Sequence, residues 1–397
     1  MSDPRNEYFV DLHVHIGRTE KGEPVKISGS RDLTFYNIAR EASERKGIEV
    51  IGIIDCHSPA VLDEIESYLD AGEMDEQEGG GIRYHRTTVI LGSEIEVKDS
   101  GFGPAHLLVY MPTFAAMRDF SAWMGRHMKN VRLSSQRIYV PARTLQEEAA
   151  ERGGIVIPAH IFTPYKGVYG SGAARMSDWL DPDLIAAVEL GLSADTKMAG
   201  LLSELDRYPF VTNSDAHSLG KIGREYNRMA MRAPSFRELV RALAGADGRG
   251  VLANYGLNPR LGKYHRTFCE SCESILDEAH MSAERCPRCG GAKIVRGVMD
   301  RIRSIADRDV PHVAHRPPYH FQIPLEFIPG LGKRKRERLL ERFGTEMNVL
   351  HRVPPEQIAE TAGEPIARLI ARAREGAVDV RTGGGGRYGK VTGPLSP

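Results

Sequence analysis

The feature that most constrains the fold of this chain is a repeated pattern, in which an apolar segment ends at a histidine, aspartate or glutamate. Helical and strand patterns alternate over about the first 230 of its 397 residues. The apolar segments 48–54, 155–158 and 208–212 are short, as buried strands are. Such alternation predicts an α/β domain with a parallel sheet, either open or closed as a barrel, and barrels gather polar groups at their strand ends.

The candidate site residues share this position at or just past a strand end. They are His13, His15, Asp55, His57, Glu94, His106, His160, Asp215 and His217. Imidazole and carboxylate groups bind divalent ions, and a carboxylate such as that of Glu94 can bridge two of them. One histidine at a strand end is more often a packed or hydrogen-bonded residue, but a whole series of such ends is hard to obtain by chance. We therefore predict a site for two or three divalent ions, which are Zn²⁺, Mn²⁺ or Mg²⁺. The candidate catalytic residues among these are His13, His15, Glu94, His160, Asp215 and His217.

The order of these residues resembles the polymerase-and-histidinol-phosphatase (PHP) superfamily over roughly residues 7–235. The resemblance implies a distorted seven-stranded β/α barrel that holds up to three metal ions, with these residues as the ligands. The family commonly shows Asp-His in its second motif, whereas this chain has Asp55-Cys56-His57. Either Cys56 replaces the ligand or His57 takes over after a small shift, and we favour His57. Glu20 has the spacing of an acid that the family often places after its first motif.

Four of the five cysteines form two close pairs, Cys269-x-x-Cys272 and Cys286-x-x-Cys289. Two such pairs can close a tetrahedral shell around Zn²⁺, and a shell without an open position is structural. The alternative, two pairs of reduced surface thiols, would leave reactive sulfur exposed. We therefore predict a zinc ribbon. Its contact with DNA stays open, and the basic residues nearby are Arg285, Arg288, Lys293 and Arg296.

A Gly-x-Gly segment precedes a predicted basic helix that runs to about Phe343. Its glycines let backbone N–H groups approach a phosphate at a helix N-terminus, which already favours anions. The segment resembles the helix-hairpin-helix module, which grips the DNA backbone without reading sequence, and a degenerate second copy without the glycine pair lies at 362–373. The alternative is a plain helix start with a solvated basic face. The candidate DNA contacts are Gly330, Gly332, Lys333, Arg334 and Lys335.

The predicted order of parts is an acidic catalytic region followed by a basic one. The region from Met299 onward holds 17 Lys and Arg against 12 Asp and Glu, although the whole chain has no net charge. The predicted parts are a barrel at 1–235, a connecting segment at 236–264, a zinc ribbon at 265–298, a helical region at 299–380 and a disordered glycine-rich tail at 381–397. Residues 311–324 are predicted to be a linker.

The PHP-like part, the four cysteines and the hairpin together resemble the endonuclease Q family over essentially the whole chain. Further matching segments are 158–164, 188–195 and 343–348. The resemblance implies hydrolysis of the phosphodiester 5′ to a deaminated base (hypoxanthine, uracil or xanthine) or an abasic site in DNA. A lesion base would leave the stack for inspection. The loop after His160 could stack on that base and hold its phosphate through Phe162, Tyr165, Lys166 and Tyr169. The alternative is that these side chains simply pack within the loop.

Several classes of protein remain as alternatives. The start of the chain shows no secretory signal and no apolar run reaches the length of a membrane helix, so we expect a cytoplasmic protein. A small-molecule phosphoesterase would have no use for the hairpin, and a PHP-type 3′–5′ exonuclease would trim ends rather than cut internally. A non-catalytic DNA-binding protein would show no metal-dependent turnover. No motif indicates a protein partner.

Overall fold

The computed structural model describes residues 6–281, 283–376, 380–381, 383–384 and 387–391. Its strands are β1 (Asn6–Val14), β2 (Val50–Ile53), β3 (Asp75–Glu76), β4 (Ile82–Tyr84), β5 (Thr87–Val97), β6 (Ala105–Met111), β7 (Ile155–Pro158), β8 (Val188–Glu189), β9 (Phe210–Val211), β10 (Tyr226–Met231), β11 (Gly250–Gly256), β12 (Phe268–Cys269), β13 (Ile294–Val295), β14 (Tyr319–Phe321), β15 (Val380–Arg381) and β16 (Lys390–Val391). Its helices are α1 (Phe35–Arg40), α2 (Pro59–Asp70), α3 (Phe114–Gly125), α4 (Ala142–Glu151), α5 (Thr196–Ala199), α6 (Phe236–Leu243), α7 (Val298–Ile305), α8 (Lys333–Phe343), α9 (Glu346–His351), α10 (Pro355–Ala362) and α11 (Glu364–Arg374). Within these ranges no helix is long and apolar enough to cross a membrane.

The main sheet is mixed, which corrects the predicted parallel sheet. Its order is β14-β11-β10-β1-β2-β5-β4-β3, and β6 and β7 continue it from β5. Strands β1, β2 and β5 are parallel, whereas β5–β6, β6–β7 and β1–β10 are antiparallel. Residues 98–104 join β5 to β6 and are too few for the crossover that a parallel pair needs, so this pair must be antiparallel.

Backbone hydrogen bonds continue the succession of strands beyond β7. The N–H of Ala186, just before β8, donates to the carbonyl of Val156 in β7 at 3.0 Å. Strand β8 pairs in parallel with β9. After β9 the chain returns to β1, where Ala216 forms a parallel bridge with Val14. The strands that carry the candidate residues therefore lie side by side.

Side chains along the central strands alternate between two apolar clusters. In β5, Ile90 belongs to one cluster and its neighbours Val89 and Leu91 to the other. Leu108 and Tyr110 of β6 lie in the same cluster as Ile90. Because successive side chains of a strand point to opposite faces, apolar groups cover both faces of the sheet. Polar chemistry is therefore left to the strand ends.

The first helical region ends at a glycine. Helix α1 continues as a π-helix over Glu41–Lys46, and Gly47 ends it in the left-handed region with φ of 79°. Helix α4 starts at Ala142, and the carboxylate of Asp99 accepts the N–H of Ala142 at 3.1 Å. An acid that is distant in sequence thus accepts an N–H at this helix start.

Two segments predicted to lack structure contain short strands. Within the predicted linker, β14 pairs in parallel with β11. Within the predicted disordered tail, β15 pairs with β16, and the N–H of Gly389 donates to the carbonyl of Leu261 at 2.9 Å. Backbone partners thus lie within reach of part of this segment, and its disorder stays a prediction. Its last part, 392–397, lies outside the described residues.

A buried ion pair joins the C-terminal helices to the π-helix that follows α1. Lys46 Nζ lies 2.7 Å from Glu346 Oε2, and both side chains are buried. Lys46 also donates to the carbonyl of Gly220, and the other oxygen of Glu346 accepts the N–H of Leu325 at 2.9 Å. Helix α9 is thereby fixed against the end of the π-helix.

We expect Glu346→Gln to lower the melting temperature by several degrees. The change leaves the buried Lys46 ammonium without its counter-charge, and loss of one partner from a buried pair costs about 3–5 kcal/mol. Differential scanning calorimetry measures the effect. Glu341→Gln, at an exposed site on α8, is the matched control and should melt like the unmodified chain. Equal shifts in both variants would contradict the role of the pair.

Candidate active site

The structure brings most of the predicted ligands together in three overlapping groups. Within each group the donor atoms lie within 4.8 Å of one another. The groups are His13, His15 and Glu94; then His15, Asp215 and His217; and then Glu94, His106 and His160. His15 and Glu94 each belong to two of these groups, so all the donors form one cluster. The cluster lies at the ends of β1, β5 and β7, at the start of β6 and after β9.

The carboxylate of Glu94 lies at the centre of this cluster. Its Oε1 lies 2.8 Å from His106 Nδ1, 3.4 Å from His160 Nε2 and 3.5 Å from His13 Nε2. Its Oε2 lies 3.7 Å from His15 Nε2. A carboxylate that faces imidazoles on both oxygens can bridge two ions.

Asp55 lies outside the three groups and contacts His15, and its own ligation of an ion stays a prediction. Its Oδ2 lies 3.0 Å from His15 Nδ1 and accepts the backbone N–H of Ile16 at 2.8 Å. The Ser134 hydroxyl lies 3.2 Å from the same His15 nitrogen. Groups that bind Nδ1 of a histidine fix its ring orientation and leave Nε2 for an ion.

His57 also lies outside the three groups, and the two alternatives to it are placed elsewhere. The Cys56 thiol donates to the carbonyl of Ile53 at 3.1 Å and lies within the apolar core, and burial raises its pKa. Glu20 is exposed. Burial lowers the pKa of the His57 ring, so this ring is neutral at pH 7. Ligation by His57 stays a prediction.

Glu189 is a functional residue that sequence reasoning missed. Its Oε2 lies 2.9 Å from His13 Nδ1 and accepts from the Asn213 amide at 3.0 Å. The residue is completely buried at the end of β8. The available signal was an acid that directly follows the apolar run 185–188, at a strand end like those of the other candidates.

Lys26 was missed as well. Its Nζ lies 2.6 Å from the Ser135 hydroxyl and 3.4 Å from Glu94 Oε2. A lysine in a polar loop gives no sequence signal of its own, because most such lysines are solvated.

The charges in the cluster favour a bound cation. Burial alone would lower the pKa of His13, but the carboxylates of Glu189 and Asp215 raise it well above its ordinary value. Burial also opposes ionisation of Glu94, yet His106 holds its pKa well below the usual range. Metal ligands must be deprotonated, so a divalent ion at this cluster would replace the proton that His13 otherwise binds.

The donor set fits divalent ions. His13 Nε2 is buried without a hydrogen-bond partner among the described residues, and it lies 3.5 Å from a carboxylate oxygen of Asp215. A buried nitrogen of this kind is costly unless something binds it. Imidazoles with carboxylates are a donor set for Zn²⁺ or Mn²⁺. These groups could therefore hold metal ions.

A cavity of about 270 Å³ opens beside the donor groups. The Tyr165 side chain is 46% exposed, and its hydroxyl donates to Glu270 at 2.7 Å. The cavity lining outside the donor groups includes Lys26, Tyr165, Lys166, Lys263, Tyr264 and Tyr388. Aromatic rings and ammonium groups beside these donor groups suit a nucleotide, through stacking and through phosphate contacts.

Two residues of the loop after His160 are corrected. Phe162 and Tyr169 are buried and stack on each other with ring centroids 5.3 Å apart. The Tyr169 hydroxyl donates to Glu204 at 2.6 Å. Because this part of the loop folds into the core, these rings are not available to an extruded base. Tyr165 and Lys166 of the same loop remain candidates.

The four cysteines form one cluster beside the short β12–β13 pair. Cys269 and Cys289 have sulfur atoms 3.7 Å apart, and those of Cys272 and Cys286 are 3.6 Å apart. Four thiolates at about 2.3 Å from one tetrahedral ion would be about 3.8 Å apart. The Ser274 hydroxyl lowers the pKa of Cys272 to about 6. The cluster could therefore hold a metal ion.

The glycine-rich segment before α8 is exposed. Gly330 has φ of 81°, a conformation that favours glycine, and α8 begins directly after Gly332. Lys333, Arg334 and Lys335 are exposed. Backbone and side-chain donors are thus accessible to an anion, and contact with DNA stays a prediction. The predicted second copy corresponds to α10 and α11, which meet at Gly363.

Comparison with known proteins gives whole-chain matches. A family model described as PHP-associated matches residues 197–246. YqxK of Bacillus subtilis (strain 168), an uncharacterized protein, is 50% identical over 386 residues, which cover 96% of this chain and 98% of the relative. The crystal structure of the novel lesion-specific endonuclease PfuEndoQ from Pyrococcus furiosus is 31% identical with a TM-score of 0.85, over 98% of this chain and 96% of that one. A crystal structure of an endonuclease Q complex with a 27-mer duplex substrate, with an abasic lesion at the active site, is 31% identical with a TM-score of 0.84, over 98% and 97%.

These matches extend through the four-cysteine cluster and the C-terminal helices, so the likeness is not confined to one shared domain. The fold is an α/β fold like that of the endonuclease Q structures. The chain belongs to the endonuclease Q family.

We expect Glu189→Gln to weaken binding of the catalytic ions. Loss of a carboxylate that orients a ligating histidine typically lowers metal affinity about 10–100-fold. Titration with Mn²⁺, followed by isothermal calorimetry, measures this affinity. Glu204→Gln is the matched control, because Glu204 bonds to Tyr169 and Met176 instead of a ligand. Unchanged Mn²⁺ affinity in Glu189→Gln would refute the orienting role.

Removal of one thiol from the four-cysteine cluster should release its ion. We expect Cys272→Ala to contain about one zinc ion fewer per chain than the unmodified protein, since three thiolates leave the tetrahedral shell open. Elemental analysis after gel filtration measures the content. Cys56→Ala, which removes the buried core thiol, should keep the full amount. Equal zinc content in the unmodified chain and Cys272→Ala would show that the cluster binds none.

Proposed function

We propose that this protein is a metal-dependent DNA-repair endonuclease. It hydrolyses the phosphodiester 5′ to a deaminated base (hypoxanthine, uracil or xanthine) or an abasic site. The observation that carries the proposal is the likeness over nearly the whole chain to an endonuclease Q whose crystal structure contains a duplex with an abasic lesion at the active site. The cluster of histidines and carboxylates beside a nucleotide-sized cavity supports it.

We further propose that the strands form a distorted seven-stranded barrel. The ring is supported by the hydrogen bond from Ala186 to Val156 and by the bridge between Val14 and Ala216. The parts follow the predicted order: barrel at 1–235, connecting segment at 236–264, four-cysteine ribbon at 265–298 and helical region at 299–380.

The ion-binding residues have separate tasks in this proposal. Glu189 holds His13 and Asp55 holds His15 through their Nδ1 atoms, which leaves both Nε2 atoms for ions. Glu94 faces several imidazoles and could bridge two ions. The full proposed ligand set is His13, His15, Asp55, His57, Glu94, His106, His160, Asp215 and His217. When bound, divalent ions would polarise the phosphate and lower the pKa of a water.

The proposed reaction is one hydrolysis. A water oxygen forms a bond to phosphorus while the bond from phosphorus to O3′ of the preceding nucleotide breaks. The water loses a proton and the leaving O3′ gains one, so the products are a 3′-hydroxyl and a 5′-phosphate. The Lys26 ammonium, 3.4 Å from Glu94 Oε2, offers a fixed positive charge for the phosphate oxygens.

The remaining parts hold the substrate in this proposal. Exposed backbone and basic groups would bind phosphates at the start of α8, at Gly330, Gly332, Lys333, Arg334 and Lys335. Tyr165 and Lys166 line the cavity and would contact the lesion nucleotide. The four-cysteine ribbon, with zinc as its proposed ion, adjoins the cavity through the bond between Tyr165 and Glu270.

A denaturing-gel assay with 5′-labelled duplexes tests the function. Each duplex carries one deoxyinosine, deoxyuridine or abasic site and is compared with an undamaged duplex, in Mg²⁺, Mn²⁺ or chelator. We expect a single metal-dependent product that ends just 5′ of the lesion, and we expect His13→Ala to lose at least about a thousandfold in rate. His315→Ala, at an exposed histidine before β14, is the control and should cut normally.

Other outcomes would replace the proposal. A ladder of products from the 3′ end would indicate a 3′–5′ exonuclease. Absence of cutting on every DNA with every metal, together with hydrolysis of small phosphomonoesters, would indicate a small-molecule phosphoesterase.

A further inference from the structure

Ile27 is an apolar side chain in an unexpected place. It is 82% exposed, the highest fraction among the large apolar residues that the structure describes. It lies at the tip of a β-turn, closed by a hydrogen bond of 2.9 Å from the N–H of Gly29 to the carbonyl of Lys26. The preceding side chain, that of Lys26, lines the cavity of the candidate active site. An apolar tip is therefore adjacent in sequence to a group inside the site.

The turn is fixed to the segments that carry the donor groups. Backbone hydrogen bonds of 2.9 Å attach it on three sides, from Lys26 N–H to the Ile16 carbonyl, from Ser30 N–H to the His217 carbonyl and from Ser134 N–H to the Val25 carbonyl. Gly29 packs so closely on Gly17 that a Cβ atom at position 29 would lie 3.0 Å from the Gly17 Cα. The exposed tip thus stands on a rigid base that cannot fold Ile27 inward.

We propose that Ile27 is a wedge that enters the DNA duplex when the lesion nucleotide leaves the stack, an inference that rests on the proposed function. Extruding a nucleotide opens a gap, and proteins that bend or open DNA insert apolar side chains such as isoleucine between base steps. Consecutive Cα atoms are about 3.8 Å apart. The exposed tip at Ile27 therefore lies close to a nucleotide whose phosphate reaches the donors beside Lys26, and in this proposal it fills the gap that the nucleotide leaves.

The wedge role differs from two simpler roles for this residue. A single exposed isoleucine on a solvated loop would have no effect on any substrate. A residue that only shapes the turn would affect all substrates alike, because the turn is bonded to the segments of His15 and His217. A wedge acts only where a base pair must be opened, so its loss spares DNA in which the lesion is already unpaired.

Cleavage of paired and unpaired lesions tests the wedge. The substrates are a duplex with deoxyuridine opposite adenine and the same sequence with deoxyuridine in a three-nucleotide bubble. We expect Ile27→Ser to lower kcat/KM on the paired lesion about 10–100-fold and to leave the bubble within about twofold. Ile27→Met should retain most activity on both. Val310→Ser removes another apolar residue, 76% exposed, and should cut both substrates normally.

A second readout does not depend on turnover. In the His13→Ala background, 2-aminopurine placed beside the paired lesion should brighten on binding, because its neighbour leaves the stack. Addition of Ile27→Ser should abolish this rise while the dissociation constant for the bubble substrate stays the same. Equal cleavage of the paired lesion by Ile27→Ser and the unmodified chain would overturn the wedge, as would equal losses on both substrates. Failure of the unmodified chain to cut either one would instead overturn the proposed function.

Discussion

The burial of Glu94 among imidazoles is the constraint on which the rest of the site depends. A carboxylate taken out of water is strongly destabilising unless cations or hydrogen-bond donors surround it. Here His13, His106 and His160 face one of its oxygens and Lys26 faces the other. The ends of β1, β5 and β7 and the start of β6 must therefore lie at the same place, and the apolar clusters on both faces of the sheet hold them there. Such concentrated charge is typical of functional sites, because it stabilises the fold less than apolar packing would.

The segments that follow the main sheet are tied to the surroundings of this cluster. Arg301 of α7 donates to the carbonyls of Tyr169 and Ala173, both at 2.9 Å, in the loop that follows His160. The Tyr165 hydroxyl of the same loop reaches Glu270 beside the four-cysteine cluster. The loop that lines the cavity is thus held from two later segments. Contacts made by DNA with those segments would act on the same loop that adjoins the scissile phosphate in our proposal.

Residue type and position made much of the site predictable from the sequence. His13, Glu94 and the four cysteines were identifiable because few other roles require such side chains at strand ends or at such spacing. Glu189 was missed although it follows an apolar run as the other candidates do, because its partner His13 is distant in sequence. The inward position of Phe162 was not predictable, because a loop can fold its rings either inward or outward. The mixed sheet was missed for a related reason: alternation of helix and strand patterns gives no strand direction, which the short connection 98–104 decides. The tail pairing depends on backbone partners at Arg260 and Leu261, which are distant in sequence.

Anomalous X-ray diffraction is the most direct test of the central claim that this cluster binds ions at a scissile phosphate. Crystals would contain a duplex with one abasic site and either Mn²⁺ or Zn²⁺, with data collected at each metal's absorption edge. We predict ion peaks bounded by the three donor groups, with the phosphate 5′ to the lesion beside them, and a separate zinc peak among the four cysteines. Peaks at the cysteines alone, or a lesion phosphate bound away from Glu94, would contradict the metal-dependent lesion endonuclease.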